Sequence, residues 1–308
     1  MLMELAAALA EQGFTVRPMT MADAADCFRV TAAQELHDLG SVEIELADIV
    51  AEWQRPSFQI SQSTIGVFDG PAMVGYAEVS GAGRGEAAVD PAYAGRGIGT
   101  FLAEWMQDAA RRHGYVSLRM PVFQGSPGDH LLEALGYAVG WESWVLHLPP
   151  GVEIVDRPLP PGYVLREAKP ADDEAVWTVL EDAFLEWSVR EREPFADFLA
   201  QTRERPGFEP WHLRVVTNEG GMVVAALVLQ VAQEGHEPEG FVDRVAVRRD
   251  QRGQGIAQAL LADAFSLARE HGAAKCGLST DSRTGALDLY LKMGMTVSSV
   301  WVKRAIQV

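Results

Sequence analysis

One sequence pattern occurs twice in this chain of 308 residues, and it limits what the chain can fold into. In both copies an apolar strand end leads through a short polar turn into a loop of alternating glycines, and the loop opens an amphipathic helix. The first copy spans residues 89–102 and the second spans residues 245–261. Gly97 and Gly255 occupy the same place in the pattern and lie 158 residues apart. The chain is therefore expected to contain two related domains.

Further matches keep the two copies in register along most of the chain. Gly136 matches Gly294, again 158 residues later, whereas Asp23 matches Asp172 only 149 residues later. The difference between these spacings (158 − 149 = 9) predicts nine extra residues in the second copy. The polar segment 231–239 is the expected place of this insertion. A tandem duplication followed by one insertion accounts for the pattern.

A cluster of prolines and glycines separates the two copies and predicts the domain boundaries. The first domain is expected over residues 1–148, a linker over 149–162, and the second domain over 163–308. Each domain is long enough to bury a core of its own. Strands and helices mix without strict alternation, so the predicted fold class is α+β, with a central mixed β-sheet flanked by helices in each domain.

Charge and cysteine content exclude several classes of protein. The formal net charge of −17 argues against a protein that binds nucleic acid independently of sequence, because such a protein needs a basic surface. The first residues lack a basic segment and a long apolar run, so a cytoplasmic protein without a membrane partner is expected. Cys27 and Cys276 are predicted to be ordinary core thiols. No group of cysteines and histidines has the spacing of a metal site, and no metal is expected.

The two glycine loops are candidate sites for an anion. Gly253 and Gly255 carry no side chain that would keep a ligand away from the backbone. The first N–H groups of the following helix have no partner within it, and the helix dipole adds partial positive charge there. A phosphate is the usual ligand of such a loop. The same argument applies to residues 95–100 in the first copy.

The second loop resembles the acyl-CoA motif of the GNAT superfamily of N-acetyltransferases, in which Arg or Gln precedes Gly-x-Gly/Ala by three positions. Arg252, Gly255 and Ala257 stand at its fixed places. The turn between Val247 and Gln254 is longer than in a dinucleotide fingerprint, which leaves its strand almost directly. The tandem layout also resembles that of the mycothiol synthases. The resemblance implies a domain that binds acetyl-CoA and acetylates the primary amine of a small molecule.

In the GNAT family the loop amides hold the pyrophosphate of coenzyme A, and the preceding strand runs along its pantetheine. By resemblance, the cofactor-binding residues of the second copy are Val245, Ala246, Val247, Arg252, Gly253, Gln254, Gly255, Ile256 and Ala257. Those of the first copy are Val89, Gly95, Arg96, Gly97, Ile98, Gly99 and Thr100. Because the pyrophosphate contact uses mostly backbone, the first loop could also bind the cofactor.

Acetyl transfer from a thioester needs a proton for the leaving thiolate. Tyr290 lies four residues before Gly294 and matches the tyrosine that often supplies this proton in the GNAT family. The alternative is a core tyrosine that holds its helix against the sheet. Arg283 stands seven residues before Tyr290, where the family often has Asn, and an arginine there could reach a phosphate instead.

The attacking amine must also lose a proton, and Asp243 is the predicted general base. It precedes the loop on a strand, where residues 243, 245 and 247 are expected to share one face. The competing interpretation is that Asp243 pairs with a neighbouring arginine. Water, or Glu237 and Glu239 just before the strand, could replace it as the base. His236 and His212 could titrate near neutral pH, but single loop histidines are usually exposed and idle.

The first copy lacks the side chains expected to do chemistry. At a spacing of 158 residues, Asp243, Arg252 and Tyr290 correspond to Gly85, Ala94 and Leu132. We therefore predict that the second domain is active and that the first is catalytically degenerate, with a structural or cofactor-holding role. Three alternatives stay open: a non-catalytic module that binds coenzyme A or regulates, two active domains, and a dinucleotide-dependent oxidoreductase.

Overall fold

The computed structural model describes residues 1–149, 151–155, 157–232 and 238–308. The chain divides into two compact units. The first unit consists of residues 1–142 and 301–308, and the second consists of residues 143–300. Over the described ranges, no helix combines the length and the apolar character that crossing a bilayer requires.

The first unit is a mixed sheet with helices packed on it. Its helices are α1 (Leu2–Glu11), α2 (Ala24–Leu39), α3 (Leu46–Trp53), α4 (Ile60–Ser63), α5 (Ile98–Arg112) and α6 (Pro127–Ala134). Its strands are β1 (Phe14–Arg17), β2 (Thr64–Asp69), β3 (Ala72–Ser80), β4 (Arg84–Val89) and β5 (Ser117–Phe123). These strands lie in chain order, antiparallel except for the parallel pair of β4 and β5. β6 (Ala138–His147) follows and crosses the unit boundary.

The second unit repeats this arrangement. Its strands are β7 (Val164–Glu167), β8 (Leu213–Thr217), β9 (Val223–Ala232), β10 (Glu239–Val247) and β11 (Lys275–Asp281), and β12 (Thr296–Gln307) begins in it. Its helices are α7 (Asp173–Phe184), α8 (Phe195–Gln201), α9 (Ile256–Glu270) and α10 (Leu287–Lys292). β10 and β11 are parallel, whereas β7, β8, β9 and β10 are antiparallel neighbours. Of the predicted insertion, residues 233–237 lie outside the described residues.

The same arginine–aspartate pair begins both repeats. Arg17 donates two hydrogen bonds to Asp23, at 2.9 and 2.7 Å, and Arg166 donates two to Asp172, at 2.6 and 3.0 Å. Each aspartate also accepts a hydrogen bond of 2.8 Å from the backbone N–H three residues before it. Identical bonding at residues 149 apart supports the duplication that the sequence predicts.

The end of the closing strand of each repeat lies in the unit formed mainly by the other repeat. Residues 301–307 of β12 run antiparallel to β5 in the first unit. Residues 143–147 of β6 run antiparallel to β11 in the second unit. The units thus differ from the predicted domains: residues 143–148 belong to the second, and 301–308 to the first.

Both glycine loops end in the backbone conformation that only glycine adopts easily. Gly97 and Gly255 precede α5 and α9 with φ of 83° and 81°, in the left-handed region. The next residues, Ile98 and Ile256, are both 1% exposed and pack into the core of their units. The left-handed turn therefore lets each helix start with a buried residue directly after an exposed or half-buried glycine.

Candidate active site

The candidate site begins where two parallel strands of the second unit part. β10 and β11 pair as far as Val242, which lies opposite Leu278. A β-bulge follows at once, because Val242 and Arg244 oppose consecutive residues of β9 and Asp243 is the extra residue between them. The strands then separate, and a cleft of about 1050 Å³ lies between them. A cleft of this volume is large enough for a cofactor-sized ligand.

The cleft gathers most of the site residues predicted for the second copy. Those that line it are Asp243, Val245, Ala246, Val247, Arg252, Gly253, Gly255, Ile256, Ala257 and Tyr290. Gln254 lies in the same loop but does not line the cleft; its amide donates to the Gln251 carbonyl at 3.3 Å. The sequence analysis missed other lining residues, among them Arg157 from the linker and Glu186 after α7.

The loop before α9 has the shape of an anion cradle. Gly253 has φ of 78°, and no atom lies within 4 Å of the point where a Cβ would stand. At Gly255 the corresponding point is 3.2 Å from Cδ of Arg157, an atom of a long and flexible side chain. α9 is 15 residues long, so its N-terminus carries the full dipole effect. The residues present therefore fit a phosphate-bearing cofactor.

Arg252 is held at this loop by two partners. Its Nε donates to the carbonyl of Val247 at 3.0 Å, and its two Nη atoms donate to the carboxylate of Glu186 at 2.8 and 2.7 Å. The hydrogen bonds from Arg252 lower the pKa of Glu186, so this carboxylate stays ionised. The ion pair connects the glycine loop to the segment that follows α7.

Tyr290 lies on α10 with its side chain at the cleft. It is only 8% exposed, and this burial raises its pKa to about 12. No described residue forms a hydrogen bond with its hydroxyl. The hydroxyl therefore keeps its proton throughout the neutral range, and no described residue accepts a hydrogen bond from it.

Asp243 also lines the cleft, in spite of the bulge that interrupts the expected alternation along β10. Its carboxylate forms an ion pair with Arg244 at 3.3 Å and is 37% exposed. Arg244 is held in turn by Glu193 at 2.7 Å and by Gln201 at 2.8 Å. Asp243 thus pairs with a neighbouring arginine, as the competing interpretation of the sequence expected. Its carboxylate is nevertheless accessible from the cleft.

The other candidate bases lie elsewhere or outside the described residues. Glu239 accepts a hydrogen bond from Nε2 of His147 at 2.8 Å, and neither of the two residues lines the cleft. His212 is 4% exposed, and burial lowers its pKa to about 4, so the expectation of an exposed histidine is wrong. Glu237 and His236 fall in the segment that the structure does not describe.

The first unit keeps the loop but not the chemistry around it. Gly95, Arg96 and Gly97 are exposed at the start of α5, and the Arg96 guanidinium lies 4.9 Å from the Tyr93 ring centre. Pairing of β3 with β4 runs without interruption, so this unit has no residue equivalent to Asp243. The remaining predicted positions, Val89, Ile98, Gly99 and Thr100, are partly or fully buried at the same loop.

Two positions near β4 of the first unit are filled by core packing. A Cβ on Gly85 would lie 2.9 Å from Cδ1 of Leu118 and 3.0 Å from Sδ of Met106. Leu132, which corresponds to Tyr290, is 3% exposed and belongs to the same apolar cluster. Neither position presents a titratable group to a ligand.

Comparison with known proteins places both repeats in one family. The sequence profile of the acetyltransferase (GNAT) family matches residues 26–137 and 174–295. Mycothiol acetyltransferase from Salinispora arenicola is 29% identical over 245 residues, covering 75% of this chain and 76% of that protein. Mycothiol acetyltransferase from Pseudarthrobacter chlorophenolicus is 27% identical over 220 residues. That match covers 68% of this chain and 66% of the relative, just under two thirds of its length.

Solved structures match nearly the whole chain. A GCN5-related N-acetyltransferase from Sphaerobacter thermophilus has a TM-score of 0.71 at 25% identity, covering 96% of this chain and 95% of that one. A tandem GNAT protein from the clavulanic acid biosynthesis pathway has a TM-score of 0.71 at 16% identity, covering 96% and 98%. The second likeness concerns the fold alone. The predicted α+β class with two tandem repeats is confirmed.

Proposed function

Because the chain belongs to the acetyltransferase (GNAT) family, we propose that its second unit moves an acetyl group from acetyl-CoA to the primary amine of a small molecule. One observation carries the proposal: the glycine loop and the buried Tyr290 hydroxyl line the same cleft. The family implies acetyl-CoA as the donor. The loop supplies backbone N–H groups for its phosphates, and Tyr290 supplies a proton for its sulfur.

The proposed reaction needs three contributions from the protein. The glycine loop and residues 245–247 hold the donor, so that its thioester lies beside β10. The neutral amine attacks the carbonyl carbon, a C–N bond forms and the C–S bond breaks. Tyr290 gives its proton to the departing thiolate, and the amine proton passes to Asp243 or to water. Tyr290 regains a proton from solvent before the next turnover.

For the first unit we propose a catalytically degenerate role. Support comes from the unbroken β4, from the core packing around Gly85 and from the buried Leu132 at the position of Tyr290. Its glycine loop remains exposed, so binding of coenzyme A through backbone amides is compatible with this role.

The acceptor is proposed as a small molecule with a primary amine. Relatives at 27–29% identity are named mycothiol acetyltransferase, which makes the acetyl acceptor of those enzymes the first compound to test. We would mix the protein with acetyl-CoA and a panel of amines, including that substrate, amino sugars and amino acids, and follow the release of free thiol. Acceptor-free and protein-free mixtures serve as controls.

Amine-dependent release of thiol, with the acetylated product identified by mass, is the expected result. Tight binding of acetyl-CoA without turnover of any amine would instead favour the non-catalytic module. Absence of acetyl-CoA binding would contradict both functions.

A further inference from the structure

The linker before the second repeat forms part of the cleft wall. Ile154 is 8% exposed and packs into the core of the second unit. The backbone carbonyls of Val152 and Val155 accept hydrogen bonds from Arg269 at 2.9 Å and from Gln258 at 2.8 Å. Since Gln258 lies in the first turn of α9, these contacts hold the linker across the start of the helix.

This course of the linker places Arg157 directly over the glycine loop. Its Cδ atom is the nearest neighbour of the Gly255 Cβ position, at 3.2 Å, and its side chain lines the cleft. In the part of the chain that the structure describes, Arg157 forms no ion pair or hydrogen bond. The other arginines of the cleft are compensated, Arg252 by Glu186 and Arg283 by Asp281. Arg157 therefore brings to the cradle a positive charge that is not paired with any carboxylate of the described residues.

We infer that Arg157 is a donor-binding residue that contacts the pyrophosphate of coenzyme A from the linker side, opposite the loop amides. The inference rests on the proposed function, since it concerns the same cleft. A guanidinium can donate two parallel hydrogen bonds to a phosphate, and such charge-assisted bonds are stronger than neutral ones. The loop amides and the arginine would then hold the pyrophosphate between them.

The first repeat has no equivalent of this arginine. At the spacing of 149 residues that applies before the insertion, Arg157 corresponds to Ala8, within α1. The linker cation is thus a property of the second unit alone. The inference predicts that the second loop binds coenzyme A more tightly than the first because of it.

Calorimetric titration of the full-length protein with coenzyme A tests this role. We would compare the wild type with Arg157→Ala and Arg157→Lys, and use Arg192→Ala as a control. Arg192 is a partly exposed arginine of the same unit that does not line the cleft. Arg157→Ala should raise the Kd at the second site about tenfold, and Arg157→Lys should raise it less, because an ammonium keeps the charge without the planar fork. The control should stay within about twofold.

Truncated ligands identify the phosphate that Arg157 contacts. Arg157→Ala should weaken 3′-dephospho-CoA as much as coenzyme A, because both contain the pyrophosphate. If Arg157→Ala binds 3′-dephospho-CoA as tightly as the wild type does, the arginine contacts the 3′-phosphate and the assignment is overturned. Unchanged or tighter binding of coenzyme A by Arg157→Ala also overturns it, since the side chain would then merely cover the loop. Failure of the wild type to bind coenzyme A would instead reject the proposed function.

Discussion

Arg252 and Glu186 form a two-pronged ion pair at the cleft, with N–O distances of 2.7 and 2.8 Å. Arg252 belongs to the glycine loop, whereas Glu186 lies in the turn after α7, 66 residues earlier in the chain. Both side chains remain partly exposed, at 42% and 35%. The guanidinium at the fixed arginine position of the glycine loop is thus already engaged by a carboxylate.

Glu186→Gln should tighten the binding of coenzyme A about two- to fivefold. The substitution removes a negative charge near the phosphates and frees Arg252, but the pair is exposed enough that the effect stays modest. Calorimetric titration measures the change. Glu191→Gln removes the same charge from an exposed residue that does not line the cleft, and it should leave the Kd unaltered. Weaker binding by Glu186→Gln would mean that the carboxylate positions Arg252 for the ligand.

Tyr290→Phe should lower kcat about 100-fold or more, while the Kd of acetyl-CoA stays within about twofold of the wild type. Phenylalanine keeps the ring packed in the core and removes only the proton donor. Because the pKa of Tyr290 is raised to about 12, loss of its proton should not reduce the wild-type kcat below about pH 10. Steady-state kinetics from pH 6 to 10 provide both tests. An undiminished kcat in the variant would remove Tyr290 as the acid.

The sequence predicts local features of this chain well and distant ones poorly. The glycine loops, α5, α9 and the position of Tyr290 follow from patterns within about 20 consecutive residues, where periodicity and glycine placement carry the information. The exchange of closing strands depends on which sheet edge each strand meets, and sequence does not encode that choice locally. Arg157 and Glu186 reach the cleft through tertiary packing of a linker and a turn. No spacing rule would have found them.

The bulge at Asp243 shows that counting residues between two repeats can align positions that are not structurally equivalent. Counting residues aligns Asp243 with Gly85, and this suggests that a carboxylate was replaced by glycine. The strand registers show instead that Asp243 is the inserted residue of a bulge, and β4 has none. The two repeats thus differ in backbone geometry as well as in side chains at this point.

Arg304→Ala should destabilise the first unit even though Arg304 lies near the end of the second repeat. Its Nε donates to Asp129 at 2.7 Å, and both side chains are less than 10% exposed. Removing one partner of a buried pair leaves a buried charge and costs about 3–5 kcal/mol. Hydrogen exchange should therefore accelerate in β5 and α6 and stay unchanged in α9. Gln307→Ala, at an exposed site of the same strand, serves as the control. Faster exchange in the second unit alone would contradict the strand exchange.

Glu78 should make the stability of the chain fall as the pH rises. It is 5% exposed and accepts a hydrogen bond from Trp53 Nε1 at 2.7 Å. Its pKa is raised from 4.5 to about 8, mainly by burial and to a smaller extent by the negative charge of Glu86. The folded state therefore binds a proton that the unfolded state has released between about pH 4.5 and 8. The contribution of Glu78 to the free energy of unfolding is therefore fully present below pH 4.5. It declines between about pH 4.5 and 8, with a slope of up to about 1.4 kcal/mol per pH unit.

Denaturant unfolding at several pH values measures this effect. Glu78→Gln keeps an acceptor for Trp53 and removes the titration. The difference in unfolding free energy between the variant and the wild type should therefore grow in favour of the variant from pH 5 to pH 8. An identical pH dependence of the two proteins would show that Glu78 does not take up the proton.

The central claim is that the second unit, and not the first, performs acetyl transfer. Gly97→Glu and Gly255→Glu can be compared because both glycines precede a 15-residue helix with nearly the same φ, so both variants meet the same backbone strain. They differ in surroundings: a Cβ at Gly97 has no atom within 4 Å, whereas a Cβ at Gly255 lies 3.2 Å from Cδ of Arg157. In either loop the glutamate would repel a phosphate through its negative charge and would fill part of the space that the phosphate needs.

Turnover of acetyl-CoA by these two variants, with calorimetric titration alongside, is the most direct measurement. Gly255→Glu should abolish turnover and binding at the second site, whereas Gly97→Glu should keep the wild-type kcat. Turnover that survives Gly255→Glu, or that is lost in a folded Gly97→Glu protein, would contradict the assignment of the active unit.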